Sequence, residues 1–152
     1  MVGPSVGGPM TDRDPGAGMT PKNGSKRTPL RGCTVLVVED HDDMRELIEQ
    51  YLTTGGATVI TATNGASARE ALANRSVDLI VTDIAMPTES GIQMMERIRA
   101  AGWLSGVPAI AISGEIRMGE LSQFRPSLFQ AVLAKPFDPA RLVAIAAELI
   151  GA

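Results

Sequence analysis

Val77-Asp78-Leu79-Ile80-Val81-Thr82-Asp83-Ile84-Ala85-Met86-Pro87 is the stretch whose reading decides the fold. A β-branched apolar run ends in a single aspartate, and a proline closes the turn behind it. Unbroken Val/Ile/Leu runs bounded by turn residues belong to strands covered on both faces, as in a parallel sheet. Open α/β sheets carry their chemistry just beyond the carboxyl ends of the strands. Asp83 stands at such an end, and the other informative positions are read relative to it.

Moving outward, the same pattern recurs. Upstream, Cys33 to Val38 reads as a buried strand that stops at Glu39-Asp40. Asp42-Asp43 supply an N-cap and early negative charge for a helix with Met44, Leu47, Ile48, Tyr51 and Leu52 on one face. Gly55-Gly56 end it, and a strand follows over 57–62. Asn64 caps a second helix through Ala73. Downstream, a helix over 92–101 buries Ile92, Met95 and Ile98, and a strand over 107–112 ends at Ser113-Gly114. A weaker helix is expected over 115–125, closed by Pro126. The last strand, 131–134, ends at Lys135-Pro136, and Asp138 caps a final helix. Five strands alternating with five helices require right-handed crossovers and helices on both faces of a parallel sheet. The expected architecture is the flavodoxin-like α/β sandwich with strand order 2-1-3-4-5.

Bulk properties agree with one domain of ordinary size: 152 residues, 44% hydrophobic, with a formal net charge of -3. Cys33 is the only cysteine, which excludes an internal disulfide or a cysteine-based zinc cluster and suits a small buried hydrophobe. No apolar run is long enough to span a bilayer and no signal segment opens the chain, so a soluble cytoplasmic protein is expected. Residues 1–31 are rich in Gly, Pro, Ser and Thr and read as a disordered tail, leaving residues 32–152 as the folded domain. Five basic against two acidic side chains make that tail +3, so the body carries −6. An acidic body argues against sequence-independent nucleic-acid binding.

The strand ends deliver Glu39 and Asp40, then Asp83, then Ser113, then Lys135. In the expected order these groups converge on one rim. Three carboxylates with backbone oxygen and water form a set for a hard cation such as magnesium or manganese. A lysine is a compact, mobile charge that pairs first with carboxylate and then with phosphate oxygens. Lys135 is the only lysine after residue 26, every other cation of the body being arginine. An isolated strand-end aspartate reads as a loop cap, and an isolated serine as a turn residue. Their coincidence with the other positions points to a carboxylate prepared to accept a phosphoryl group. His41, the sole histidine, is expected at the exposed lip of this rim.

Over residues 33–151 the chain resembles the receiver domain of bacterial two-component response regulators. The acidic pair corresponds to Glu39-Asp40, the acceptor strand and Met-Pro turn to Asp83 through Pro87, the hydroxyl to Ser113, and the Lys-Pro pair to Lys135-Pro136. The resemblance implies phosphotransfer to Asp83 from a histidine kinase or histidine phosphotransfer protein. It implies magnesium held by Glu39, Asp40, Asp83 and the backbone carbonyl of Ala85, with Ser113 and Lys135 as switch residues. It also implies a cis bond before Pro136, and a role for Ala85 and Glu115 in tuning water access to the phosphorylated site.

One position departs from the family pattern. Val132 stands where the family carries a tyrosine or phenylalanine that turns with the hydroxyl, and Phe129 lies nearby. Val132 cannot make that swing, which argues against output along the usual route through the last sheet edge and leaves acceptance of the phosphoryl group unaffected. Three readings stay open. The first is a receiver, monomeric or weakly dimeric, that signals to a downstream protein by contact. The second is a detached or C-terminal receiver of a hybrid histidine kinase. The third is a phosphatase with an aspartyl-phosphate intermediate, disfavoured because Ala85 replaces the second aspartate such enzymes carry two residues on.

Overall fold

A computed structural model describes residues 28–114 and 128–151. Five strands, β1 (Thr34–Val38), β2 (Thr58–Ala62), β3 (Leu79–Asp83), β4 (Ala109–Ser113) and β5 (Ala131–Ala134), form one sheet in the order β2-β1-β3-β4-β5. Every pairing is parallel. The helices among the described residues are α1 (Asp42–Thr54), α2 (Gly65–Asn74), α3 (Gly91–Ala100) and α4 (Pro139–Gly151). The expected helix over 115–125, with Glu115 and Pro126, lies outside the described residues. None of the described helices is long and apolar enough to cross a membrane.

The two-residue period of the strands divides the interior into two cores. Leu36, Val38, Ile80, Ala109 and Ala111 face α2 and α3, meeting Ala68, Met94, Met95 and Ile98. Val35, Val37, Leu79, Val81, Ile110 and Ile112 face α1 and α4, meeting Ile48, Leu52, Leu142 and Ala146. All five residues of β3 and of β4 are buried, which is why these strands read as continuous apolar runs. Asn64 caps α2 through a capping box with Ser67, as the sequence suggested, and Ser90 forms another with Gln93 at α3. Asp138 accepts a hydrogen bond from the amide of Ala140 at the start of α4, 2.9 Å.

Three details correct the sequence reading. His41, rather than Asp42 or Asp43, is the N-cap residue of α1, and the two aspartates occupy its first turn. Cys33 precedes β1 and is only half-buried; burial and then the Asp78 carboxylate push its thiol pKa up. Leu30 is wholly buried in the α1/α4 core, and its amide donates to the carbonyl of Gly55 at 2.8 Å. The folded body therefore includes Leu30, which the composition of its neighbours had assigned to the tail. Residues 1–27 lie outside the described residues.

One glycine fixes the geometry next to Asp83. A Cβ on Gly91, the first residue of α3, would collide with the carbonyl oxygen of Asp83. The Gly91 amide also donates to Ile84 at 2.9 Å, so the start of α3 is pressed onto the end of β3. Backbone on one side and a helix axis on the other leave no flexible group to yield. Gly91→Ala is expected to cost about 2 kcal/mol, the range of overpacking in a tight site. Thermal unfolding followed by circular dichroism checks it.

Candidate functional site

Beyond Val38 the chain leaves the sheet, and Glu39 is held there by its amide, which donates to the carbonyl of Ala62 at 3.0 Å. Its carboxylate turns inward and is 1% exposed, while Asp83 at the end of β3 is 3% exposed. Lys135 follows β5 and reaches back across the rim. Its Nζ lies 3.4 Å from Oε1 of Glu39 and 3.5 Å from Oδ1 of Asp83. The lysine that was singular in the sequence thus serves two buried acids at once. Its side chain is 21% exposed, so water reaches the ammonium from one side.

Asp40 and His41 complete the cluster. Glu39, Asp40, His41 and Asp83 each present a ligand atom within 4.8 Å of one another. The His41 ring lies at the surface, as expected of a lip residue, with Nδ1 3.2 Å from Glu39 and 3.4 Å from Asp40. Ser113 closes β4 and is buried; β4 pairs Ile112 with Asp83, so Ser113 stands one register step further along the same rim. Its carbonyl accepts the amide of Lys135 at 2.8 Å. The peptide bond between Lys135 and Pro136 is cis, and Ala85 is exposed in the loop after Asp83.

The electrostatics of Asp83 follow from this crowding. Burial first, and then the charge of Glu39, raise its pKa above the ordinary 3.8, with Lys135 offsetting part of the rise. Oδ1 of Asp83 and Oδ1 of Asp40 are buried with no hydrogen-bond partner among the described residues. Buried carboxylate oxygens normally accept hydrogen bonds, and these two have only longer contacts, Asp83 with Lys135 at 3.5 Å and Asp40 with His41 at 3.4 Å, which leaves both able to accept a further positive partner. Oxygen donors of this number and charge match the preference of magnesium or manganese. The residues fit such an ion.

The loop carrying Ala85 is fastened by a residue that the sequence reading passed over. Glu89 pairs through Oε1 with Arg69 of α2 at 2.8 Å, and through Oε2 with Arg97 of α3 at 2.7 Å. Only the two arginines, one on the preceding helix and one on the helix that follows, reveal that role. Val132 is half-buried against the α2/α3 core, and Phe129 is buried in that same core just before β5. No aromatic side chain therefore stands at the Val132 position, and Phe129 is occupied with packing.

The response regulator receiver domain profile matches residues 35–147. The chain belongs to this family. This receiver is 34% identical over 108 residues to the Regulator of RpoS of Escherichia coli, a match covering 71% of this chain and 32% of that protein. The receiver thus spans about a third of that relative's length. It is 33% identical to an uncharacterized 14.6 kDa protein in the sodA1 3′ region of Leptolyngbya boryana, covering 75% of this chain and 87% of that one. Among solved structures it resembles the receiver domain of sensor histidine kinase PA1611 from Pseudomonas aeruginosa. There the TM-score is 0.71 and the identity 29%, over 80% of this chain and 99% of that one. That structure has a magnesium ion coordinated in its active site cleft. The strand order β2-β1-β3-β4-β5 is the flavodoxin-like one, and the family match places the chain in two-component signalling.

Proposed function

We propose that this receiver accepts a phosphoryl group on Asp83 from the phosphohistidine of a histidine kinase or histidine phosphotransfer protein. The observation that carries the reading is the buried Asp83 carboxylate, whose Oδ1 accepts no hydrogen bond among the described residues and faces the Lys135 ammonium at 3.5 Å. A carboxylate oxygen of Asp83 attacks phosphorus in line; the new P–O bond forms as the P–N bond breaks, and the donor imidazole leaves and takes up a proton. Lys135 is close enough to follow charge from the carboxylate onto the transferring oxygens, and it needs no reorganisation to do so. Ser113 donates its hydroxyl to a phosphoryl oxygen once the group is in place.

Glu39, Asp40 and Asp83, with the backbone carbonyl of Ala85, would hold a divalent cation, magnesium or manganese. When bound, that ion supplies positive charge against the phosphoryl oxygens. Ala85 and Glu115 tune access of hydrolytic water, and the protein works in the cytoplasm, passing its signal by contact with another protein. Val132 cannot make the aromatic swing, so the signal leaves through loops and helices bordering Ser113 and Lys135. The likeness to a sensor-kinase receiver favours one second reading, a receiver serving within or beside a hybrid kinase; phosphotransfer measured in both directions separates the two. Against a phosphatase stands Ala85, which offers no acid two residues after Asp83.

Radiolabelled acetyl phosphate tests the proposal without a protein donor. Label is expected on the wild-type chain with magnesium and to fall at least about a hundred-fold in EDTA, the scale of losing one electrostatic contact in transfer. Asp40→Asn is expected to weaken magnesium binding about ten-fold or more by calorimetry, since it removes charge from the donor set. Full labelling in EDTA would overturn the metal-dependent reading.

A further inference from the structure

His41 stands in the rim cluster but is not among the residues assigned to the cation. It is the N-cap residue of α1, yet its side chain makes no capping hydrogen bond to that helix. Asn64 and Ser90, at the same position of α2 and α3, both use theirs. The imidazole is turned towards the acids instead. Its Nδ1 lies 3.2 Å from Oε2 of Glu39 and 3.4 Å from Oδ1 of Asp40, a buried oxygen that accepts no hydrogen bond among the described residues. The main chain beneath the ring is fixed. The His41 amide donates to Oε2 of Glu39 at 3.1 Å, and Arg45 of α1 donates to the Glu39 carbonyl at 3.0 Å. The ring itself is 71% exposed, so it can turn about its own bonds without vacating the core.

We infer that His41 is a nitrogen ligand of the rim cation, and that the site therefore favours a borderline transition ion such as zinc, cobalt(II) or iron(II) over magnesium. The inference rests on the proposed cation site and adds one ligand to it. Glu39, Asp40, His41 and Asp83 offer four ligand atoms within 4.8 Å of one another, three oxygens and one imidazole nitrogen. Magnesium is a hard ion that takes oxygen and keeps its water, so the nitrogen gives it nothing. Zinc, cobalt and iron accept imidazole and carboxylate together, so for them the nitrogen is an added bond. A cationic His41 that merely neutralises the two acids is the competing arrangement, and its signature is the opposite one. Its removal would strengthen binding of every divalent ion, magnesium included, because a positive charge leaves the site. Removal of a ligand weakens only the ions that use it.

Cobalt(II) is the probe that tests this, in the untagged full chain carrying Cys33→Ser so that the one thiol cannot take the metal. Because His41 is the sole histidine, a hyperfine-shifted imidazole proton in the NMR spectrum of the cobalt-loaded chain reports on His41 alone. That signal is expected in this parent and absent from its His41→Ala variant. By calorimetry, His41→Ala is expected to weaken cobalt binding by about ten-fold to a hundred-fold and to change magnesium affinity by less than about two-fold. No shifted imidazole signal, an equal loss for both ions, or tighter binding of both would each overturn the inference. Asp40→Asn keeps its failure distinct from that of the site beneath it. If both ions bind the parent and are weakened by Asp40→Asn, while His41→Ala matches the parent, the cation site stands and ligation by His41 is excluded. If the parent binds neither ion, the site fails and His41 with it.

Discussion

Asp83→Asn is expected to abolish labelling by acetyl phosphate and, at pH 7, to leave the protein more stable than wild type. The first effect follows because an amide offers no anionic oxygen to attack phosphorus; a loss beyond three orders of magnitude is the scale for removing a nucleophile. The second follows from burial. In the folded protein the Asp83 carboxyl keeps its proton to a higher pH than the ordinary 3.8. Folding therefore takes up a proton between 3.8 and that raised value, and stability falls as pH rises through the window. Above the window the whole cost of holding a buried anion beside Glu39 is present; below it both states are protonated and the cost is gone. Asparagine keeps the shape without the charge. Its advantage is expected to be on the order of 1 kcal/mol at pH 7, or about 3 °C in Tm, and to vanish near pH 3. Melting curves across that range check the sign, and residual phosphate incorporation in the variant would sink the acceptor assignment.

Lys135→Ala should have the converse effect on the fold. Glu39 and Asp83 would then face each other, buried, with no cation between them. Breaking a fully buried pair costs about 3–5 kcal/mol, and because water reaches this ammonium the expected loss is nearer 2 kcal/mol. The deficit should shrink as pH falls, since protonation of Asp83 relieves the repulsion. Phosphoryl acceptance is expected to drop about 10²–10³-fold. Lys135→Arg restores charge and much of the stability without restoring transfer, because a planar guanidinium does not occupy the place of a compact ammonium. Urea unfolding together with labelling kinetics separates the two effects, and wild-type rates in the alanine variant would exclude Lys135 from the chemistry.

The parts of this molecule legible in its sequence are those where one physical constraint acts alone. β1, β3 and β4 are buried on both faces, so their apolar runs announce them, and the polar residue that stops each run marks the rim. Asn64 could be read as a cap because a capping side chain acts on amides three residues away. Contacts assembled by the fold were not readable. Leu30 is a lone apolar side chain in a proline- and glycine-rich neighbourhood, and only the tertiary docking onto Gly55 shows that it is core. Glu89 finds its arginines on two different helices, and Gly91 owes its identity to a carbonyl eight residues earlier. Periodicity set Leu47 and Tyr51 with Ile48 and Leu52 on one apolar face, yet the sheet covers only the latter pair. A helical stripe records what is apolar, not how wide its neighbour is.

The bond from the Lys135 amide to the Ser113 carbonyl has a mechanical meaning. It sews the tips of two adjacent strands together beyond the last paired side chains of the sheet, so hydroxyl and ammonium are carried on one stiff jaw. The opening between that jaw and Asp83 is then governed by the spacing of β3 and β4, a dimension common to every parallel sheet, rather than by the rotamers of two independent loops.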